Sequence, residues 1–346
     1  MQQSLPRPMT PLISVLLPVH DAQGTLALCL ESIRRQRGAR WECIAVDDGS
    51  SDGSLACLRR AAALDPRVRV LARQHSGIVA SLNAGLLECQ GKYVARMDAD
   101  DIMLGDRLRS QVEALERDES LAGVGCHVRI FPRGEHAAGR RPYEGWLNSL
   151  RDAAQVRRDA FVECPLAHPS WMLRRSLFER YPYHARHWPE DYDLLLRLLG
   201  DGHELGVVPR RLLCWRDGKG RLSRTSPDYA LERFTACKAH FLAQGPLARD
   251  ARYVLWGYGK TGRALSRALA EHGKQPCAIV ELHPGRVGQT IQGAKVIAPR
   301  ELPCVSAPGA GPFIIASIAR PAPRAEVRRA LAELGFRELR DFVCAA

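Results

Sequence analysis

The sequence lacks a long hydrophobic run. Its longest apolar stretch, near residues 12–19, is interrupted by Pro18 and is far shorter than the roughly 20 residues that a membrane-spanning helix needs. Residues 1–11 contain no apolar segment of the kind found in a secretory signal, so we expect no signal peptide. With 46% hydrophobic and 25% charged residues in a chain of 346, the composition excludes a disordered or fibrous protein.

Paired cysteines are also missing. The eleven cysteines are scattered, none forms a Cys-x-x-Cys pair, and their number is odd. This pattern argues against a zinc site or a disulfide framework. It favours buried free thiols in a reducing compartment, so we expect a cytoplasmic protein.

Lysine is scarce in a chain rich in positive charge. Only six of the 50 basic residues are lysines, and the formal net charge is +12. Such an excess suits an anionic partner, for example a membrane surface or a phosphorylated substrate. A compositional preference for arginine is the alternative. Because there is no long basic block and acids alternate with bases along the predicted helices, we expect no nucleic-acid partner.

The first hundred residues alternate short apolar runs with helical patterns. This alternation is typical of a parallel α/β sheet covered by helices. The predicted strands are residues 13–17, 43–46, 68–71 and 93–97.

A second α/β alternation begins near the C-terminal quarter of the chain. The length of 346 residues also favours more than one domain. We therefore predict an N-terminal extension, a large domain, a linker and a small domain, at residues 1–11, 12–243, 244–250 and 251–346.

Acidic side chains follow two of the predicted strands. Asp47 and Asp48 end the second strand, and Asp98, Asp100 and Asp101 follow the fourth. Ligands of parallel α/β sheets bind beyond the carboxyl ends of the strands. Carboxylates this close repel one another unless a cation lies among them, and their oxygens suit Mg²⁺ or Mn²⁺. The alternative is that each segment is a solvated turn that caps the next helix.

Five segments occur in the order typical of one enzyme family. They read Ile-Ser-Val-Leu-Leu-Pro-Val-His-Asp at 13–21, Val-Asp-Asp-Gly-Ser at 46–50, Ser-Gly-Ile-Val-Ala-Ser-Leu-Asn-Ala-Gly at 76–85, Met-Asp-Ala-Asp-Asp at 97–101 and Pro-Glu-Asp-Tyr-Asp-Leu at 189–194. Across residues 12–242 the chain resembles the family-2 glycosyltransferases with the GT-A fold. The resemblance implies an α/β fold with a mixed, nucleotide-sugar-binding sheet.

The same resemblance implies an inverting, metal-dependent transfer of a sugar from a nucleotide-diphosphate sugar, with UDP expected, to a hydroxyl acceptor. Asp101, with Asp100, would bind Mn²⁺ or Mg²⁺. Asp191 would be the general base, and Glu190 would contact the acceptor or the sugar. Contacts to the nucleotide-sugar are implied for Pro18, Val19, Asp47, Asp48, Gly77, Asn83, Asp98, Asp100 and Arg216.

The chain departs from the family pattern at two places. His20 and Asp21 stand where the family usually has an aromatic residue and an asparagine, which puts base recognition by that turn in doubt. The loop at 215–223 lacks the family's histidine, so Arg216 or Arg221 would hold the leaving diphosphate. An exposed loop without such a role is the alternative.

Two side chains precede the acidic pair on the expected acceptor side. His168 and Trp171 are candidates for acceptor contact because of their place in the family's order. The alternatives are a structural histidine and a tryptophan packed in the core.

The C-terminal segment contains a Gly-x-Gly-x-x-Gly motif between a predicted strand and a predicted helix. Its glycines are Gly257, Gly259 and Gly262, and Glu281 follows at the spacing of a ribose-binding acid. The segment resembles Rossmann-like parallel α/β domains, including the N-terminal nucleotide-binding domains of sugar acyltransferases. A second nucleotide is therefore one expectation, and a turn that needs glycines only for packing is the alternative.

The same segment carries excess positive charge. We therefore also consider peripheral contact with the inner face of a membrane. A structural or oligomerising module is the remaining alternative. The arginines that would guide such a contact are Arg320, Arg324, Arg328 and Arg329.

Two other functions compete with glycosyl transfer. A sugar nucleotidyltransferase should have a glycine- and lysine-rich phosphate loop after its first strand, but the turn at 20–24 contains no lysine. A non-catalytic nucleotide sensor would not need the two intact acidic segments. The motifs leave open which sugar is moved, whether a saccharide or a lipid-linked acceptor receives it, and the oligomeric state.

Overall fold

The contacts divide the chain into two compact units. The computed structural model describes residues 12–133, 140–218 and 220–346, so the predicted N-terminal extension at 1–11 lies outside the described residues. The sequence predicts a single linker, at 244–250, between two consecutive domains. In the structure, the chain passes between the two units several times. The first unit holds the described residues within Met1–Ala153, Leu166–Ala185 and His203–Gly218, and the second holds those within Ala154–Pro165, Arg186–Gly202 and Lys219–Ala346.

In the described residues, the first unit contains an eight-stranded mixed sheet. The order is β3-β2-β1-β4-β7-β6-β8-β5, in the numbering given below. β1 is parallel to β2 and β4, while β7 is antiparallel to both β4 and β6. This arrangement confirms the predicted mixed sheet. The strands are β1 (Ile13–Val19), β2 (Trp41–Asp48), β3 (Val68–Arg73), β4 (Tyr93–Arg96), β5 (Ile102–Met103), β6 (Leu121–Phe131), β7 (Met172–Arg174) and β8 (Glu204–Arg216).

Helices connect the strands of this sheet. Every residue of β1 and β2 is buried, as expected for parallel strands covered on both faces. The third helix packs directly on these strands, because its Gly85 lets Leu16 and Val46 approach the helix backbone. The helices are α1 (Gln23–Arg34), α2 (Ser54–Leu64), α3 (Ile78–Glu88), α4 (Arg107–Arg117) and α5 (Arg141–Leu147).

The long strand β8 replaces a predicted loop. The sequence predicts a polar, glycine-containing loop at residues 210–227, and this prediction is wrong for 210–216, which belong to β8. Leu213 pairs with Val128 of β6 and is buried, and Trp215 is buried as well. Because arginines flank this short apolar segment, the sequence pattern did not indicate a strand there.

In the described residues, the second unit contains a six-stranded sheet in the order β11-β12-β10-β9-β13-β14. Its pairs are parallel except for the short β11–β12 hairpin, which the sequence analysis missed. This mostly parallel sheet agrees with the predicted α/β class of the C-terminal segment. The strands are β9 (Arg252–Trp256), β10 (Gln275–Val280), β11 (Thr290–Ile291), β12 (Ala294–Ile297), β13 (Phe313–Ala316) and β14 (Phe342–Cys344).

The second unit also contains helices from three parts of the chain. Two of them, α9 and α10 in the list below, pack on each other. The hydrophobic core beneath the sheet includes Leu242, Leu255, Ile279 and Ile315. The helices are α6 (Ala153–Asp159, whose first residue ends the first segment of the first unit), α7 (Glu190–Gly200), α8 (Leu222–Thr225), α9 (Leu231–Gln244), α10 (Lys260–Ala270) and α11 (Pro321–Glu333).

The cysteines are free thiols, and most are buried, as predicted. Burial raises the pKa of Cys126 to about 11 and that of Cys89 to about 12. These thiols are therefore protonated at neutral pH and pack as small apolar side chains.

The close approach at Gly85 gives a stability prediction. A Cβ at this position would lie 2.4 Å from Leu16 Cδ1 and 2.8 Å from Val46 Cγ2. We expect Gly85→Ala to lower the thermal unfolding midpoint, because overpacking costs about 1–3 kcal/mol and exceeds the helix-propensity gain of about 1 kcal/mol. Gly24→Ala, where no atom lies within 4 Å of the added carbon, is the matched helical control. An unchanged midpoint in Gly85→Ala would contradict the packing argument.

Candidate active site

Asp47 lies at the carboxyl end of β2. It is in register with Val19, and Pro18 is in register with Val46, so the ends of β1 and β2 form one edge. Asp47 Oδ2 accepts a hydrogen bond from the Ser50 N–H at 3.2 Å. Its buried Oδ1 has no hydrogen-bond donor in the described parts of the chain. Because an unpaired buried acceptor is costly, this oxygen is suited to accept an N–H from a ligand.

Asp48 fixes the start of α3. Its carboxylate accepts hydrogen bonds from the backbone N–H groups of Ser76, at 3.0 Å, and Gly77, at 2.9 Å. Gly77 has a φ of +86°, a conformation that favours glycine. Partial burial opposes ionisation of Asp48, but the backbone hydrogen bonds from Ser76 and Gly77, with the nearby His75 ring, outweigh it and lower the pKa. Asp48 therefore stays charged at neutral pH and organises this edge.

Two stacked histidines lie over Asp48. The ring centroids of His20 and His75 are 4.2 Å apart. The Nδ1 atom of each ring is within about 3.1 Å of the Asp48 carbonyl oxygen, which can only accept. A proton on Nδ1 of either ring can be donated to this oxygen, and the Nδ1 of His75 also lies 2.9 Å from Asp48 Oδ2. His20 is one of the departures from the family pattern, whereas His75 belongs to no motif and was not predicted to lie at this edge.

The aspartates after β4 lie together as predicted. Asp98, Asp100 and Asp101 each offer an oxygen within 4.8 Å of the others. Arg96 forms an ion pair with Asp98. The Arg216 N–H donates to Asp101 Oδ1 at 2.7 Å, so the end of β8 is tied to the cluster. Three carboxylates in this arrangement fit a hard divalent cation such as Mg²⁺ or Mn²⁺.

Arg216 lies beside this cluster. Its Nε donates to the Asp100 carbonyl oxygen at 2.6 Å, and its guanidinium lies 4.5 Å from the centre of the Phe131 ring. These contacts hold a positive charge next to the aspartates. The predicted role of Arg216 toward the diphosphate remains a prediction.

Asn83 connects α3 to a later segment. Its side-chain amide donates to the Tyr183 carbonyl at 2.9 Å and accepts from the Tyr183 N–H at 3.0 Å. The amide thus binds protein backbone through both of its polar atoms. Its predicted place beneath the nucleotide remains a prediction.

His168 and Trp171 are buried. His168 Nε2 lies 2.9 Å from the Tyr183 hydroxyl, and the Trp171 indole N–H donates to the Leu166 carbonyl at 3.2 Å. Trp171 is only 1% exposed, so the structure favours core packing over a sugar-stacking role. A contact between His168 and an acceptor stays a prediction.

The acidic pair begins α7 in the second unit. Glu190 is buried and accepts a hydrogen bond from the Tyr229 hydroxyl, a partner that the sequence analysis missed. Asp191 is half-buried, and its Oδ1 accepts the Tyr192 N–H at 2.7 Å. Negative charge is favourable in the first turn of a helix. The two acids therefore differ: Glu190 is fixed by a hydroxyl, and Asp191 is more accessible.

Comparisons with known proteins identify the family. Residues 14–182 match Glycosyl transferase family 2. The chain is 30% identical over 217 residues to the amylovoran biosynthesis glycosyltransferase AmsE of Erwinia amylovora, covering 62% of this chain and 79% of AmsE. This chain belongs to glycosyltransferase family 2.

Solved structures share the fold of this family-2 glycosyltransferase. S. aureus TarS 1–349 in complex with UDP-GlcNAc has a TM-score of 0.52 and 14% identity, over 75% of this chain and 72% of that one. The mannosyltransferase PcManGT of Pyrobaculum calidifontis, in complex with GDP-Man and Mn²⁺, has a TM-score of 0.51 and 20% identity, over 76% and 70%. These similarities confirm the predicted fold class.

The glycine motif of this glycosyltransferase forms the turn after β9. Gly257 has a φ of +96°, which favours glycine, and a Cβ on Gly262 would lie 2.1 Å from the Gly257 carbonyl oxygen. The turn therefore requires both glycines whether or not a nucleotide binds there. No atom lies within 4 Å of a Cβ built on Gly259. Glu281 Oε1 accepts the Tyr258 N–H at 2.8 Å. A second nucleotide at this turn stays a prediction.

Two arginines proposed for membrane contact lie inside the second unit. Arg324 is 4% exposed and donates to the carbonyl oxygens of Ile318 and Ala346. Arg328 pairs with Asp159 at 2.6 Å. The expectation that Arg324 and Arg328 face a membrane is therefore wrong. Across the described residues, the helices are too short or too polar to cross a membrane.

The Asp48 contacts give a pH prediction. Because the pKa of Asp48 is lower in the folded than in the unfolded protein, its charge stabilises the fold at neutral pH, and this contribution is lost as pH falls through the folded-state value. We expect Asp48→Asn to lower the thermal midpoint at neutral pH, and the deficit to shrink in acid. Glu119→Gln, at an exposed glutamate, controls for the charge. A deficit independent of pH would refute the argument.

Proposed function

We propose that the chain transfers a sugar from a nucleotide-diphosphate sugar, with UDP as the expected nucleotide, to a hydroxyl acceptor with inversion of the anomeric carbon. The observation that carries the proposal is that the acids of β2 and those after β4 lie at the carboxyl ends of parallel strands of one sheet, in the family's order, with Asp98, Asp100 and Asp101 clustered. Membership of family 2 favours glycosyl transfer over nucleotidyl transfer.

The donor nucleotide is assigned to the ends of β1 and β2. The buried Asp47 Oδ1 can accept a hydrogen bond, and the N–H of a uracil base is a matching donor. The stacked rings of His20 and His75 offer a flat surface for a base. Fold neighbours in complex with UDP-GlcNAc and with GDP-Man support a nucleotide-sugar donor.

The metal is assigned to the aspartates after β4. Asp101 and Asp100 would hold Mn²⁺ or Mg²⁺, with Asp98 nearby, because their oxygens converge. When bound, such a cation neutralises the negative charge that develops on the leaving diphosphate. The Mn²⁺ in the PcManGT complex supports this assignment.

Asp191 is assigned as the general base. The acceptor oxygen forms a bond to the anomeric carbon while the bond from that carbon to the diphosphate oxygen breaks, and the diphosphate leaves with the electron pair. Asp191 takes the proton of the acceptor hydroxyl. Glu190, oriented by Tyr229, is assigned to bind the acceptor or the sugar.

The acceptor is assigned as a saccharide or a lipid-linked saccharide. The reaction would then be a step in the synthesis of a cell-envelope polysaccharide. The name of the relative AmsE, a glycosyltransferase of amylovoran biosynthesis, supports this class. The buried free thiols support a cytoplasmic location, and contact with the inner membrane face remains part of the proposal.

Donor binding is tested by thermal shift. We expect UDP or UDP-GlcNAc with Mn²⁺ to raise the unfolding midpoint more than GDP-Man does, since a ligand at 100 times its Kd adds roughly 2.7 kcal/mol. Asp101→Asn should abolish the Mn²⁺-dependent part of the shift and also abolish transfer. Chelation by EDTA should do the same to the wild type. Full transfer in EDTA would exclude the metal assignment.

The base is tested by Asp191→Asn. We expect nucleotide-sugar binding close to that of the wild type, with turnover lower by about 10²–10⁴-fold, because proton removal contributes that much. Release of UDP from UDP-sugar with mixed saccharide acceptors measures turnover. Asp201→Asn, just beyond the other end of α7, is the control. A loss of binding with normal turnover of the bound fraction would make Asp191 a binding residue instead.

A further inference from the structure

Strands β6 and β8 separate at an irregularity in their pairing. His127 is in register with Arg211, but the preceding pair is Cys126 with Val208, so β8 has two extra residues there. The Asn148 side chain bonds both the N–H and the carbonyl of Val128, at 2.9 Å each. The side-chain amide of Asn148 therefore bonds the backbone of β6 as a neighbouring strand would. These bonds fix the chain just after α5 against β6.

Two cavities lie beside this irregularity. Their volumes are about 300 Å³ and about 500 Å³. They share Asn148 and Arg211, so they adjoin each other. Arginines line both: Arg133, Arg141 and Arg211 in the first, and Arg151, Arg210 and Arg211 in the second.

Three of these arginines have no acidic partner among the described residues. Arg210 bonds Ser110 and lies 3.6 Å from Asp106. In contrast, Arg133, Arg141 and Arg211 form no ion pair with an acid among residues 12–133, 140–218 and 220–346. Among the described residues that line this first cavity, Glu144 is the one carboxylate, against three arginines.

The arginine charges also act on His127, which lines the second cavity. The His127 Nε2 lies 2.8 Å from the Leu150 carbonyl oxygen. Burial, and then the charges of Arg151 and Arg211, lower the pKa of His127 against the effect of this hydrogen bond. His127 is therefore neutral at physiological pH and does not add to the charge.

Clustered guanidinium groups repel one another unless an anion lies among them. The planar fork of arginine matches the oxygens of a phosphate or a carboxylate, with two parallel hydrogen bonds. We propose that the adjoining cavities bound by Arg133, Arg141 and Arg211 form a binding site for an oxyanion, a phosphate or carboxylate group. Neither the family's motifs nor the candidate active site includes these residues.

The site lies on a strand that leads to the aspartate cluster. Arg211 is five residues from Arg216 in β8, a distance of roughly 17 Å at 3.3 Å per residue. The Arg216 N–H bonds Asp101, so a ligand that follows β8 from the cavities would reach the donor side. We assign the oxyanion to an acidic acceptor; this assignment rests on the proposed function, whereas the binding site does not.

Calorimetric titration of the full chain tests the site. The probes are inorganic phosphate, glucose 6-phosphate and glucuronate, with glucose as the neutral control. Each titration is run at low and high salt, with and without saturating UDP and Mn²⁺, which occupy the donor site. We expect glucose not to bind, and phosphate or glucuronate to bind in the presence of UDP and Mn²⁺; the stronger of the two identifies the oxyanion.

Variants locate the binding. Arg141→Ala and Arg211→Ala should each raise the Kd for the anion by roughly tenfold or more, because each removes a charge-assisted hydrogen bond. Arg129→Ala is the matched control, since Arg129 is an exposed arginine of β6 outside the lining. The proposal is overturned by absence of binding at millimolar anion in low salt, by equal weakening in Arg129→Ala, or by binding that UDP and Mn²⁺ displace. Failure of UDP to bind would refute the proposed function while leaving these variant comparisons intact.

Discussion

A buried arginine holds the centre of the first sheet. The Arg107 guanidinium is fully buried and donates hydrogen bonds to the carbonyl oxygens of Arg96 and Trp171. Arg96 ends β4, and Trp171 directly precedes β7, so one side chain spans the point where parallel pairing changes to antiparallel. Gln111, bonded to the same guanidinium, extends the connection to Val124 in β6. A hydrogen bond to a charged group contributes about 1.5–3 kcal/mol, so these contacts stabilise the junction between the parallel and antiparallel parts of the sheet.

The same arginine influences the charge of the candidate metal site. Burial lowers the pKa of Arg107, and the attraction of nearby groups, Asp101 among them, opposes that shift. Arg96 offsets Asp98 directly. Two buried or nearly buried arginines therefore compensate part of the charge of three aspartates.

Features that a short motif determines locally could be predicted from the sequence. Features that depend on a contact with a residue distant in the sequence could not. The acids at 47–48 and 98–101 lie at the carboxyl ends of strands in one sheet because β1 is parallel to both β2 and β4, and the alternation of strands and helices was sufficient to infer this. The fate of Arg324 and Arg328 was not predictable from spacing, because their partners lie at Ala346 and in α6. The strand β8 was missed because pairing with β6, not local propensity, extends it to Arg216.

The scarcity of lysine now has a partial structural explanation. Arg107, Arg174 and Arg324 each donate to two or more backbone carbonyl oxygens from positions that are buried or half-buried. Such contacts need several donors in a fixed plane, which a lysine ammonium cannot supply in the same way. For these residues the arginine preference is a requirement of the fold rather than a consequence of composition. By contrast, Arg133, Arg141 and Arg211 form no ion pair with an acid in the parts of the chain that the structure describes, so the fold does not account for their charge, and a ligand is assigned to them.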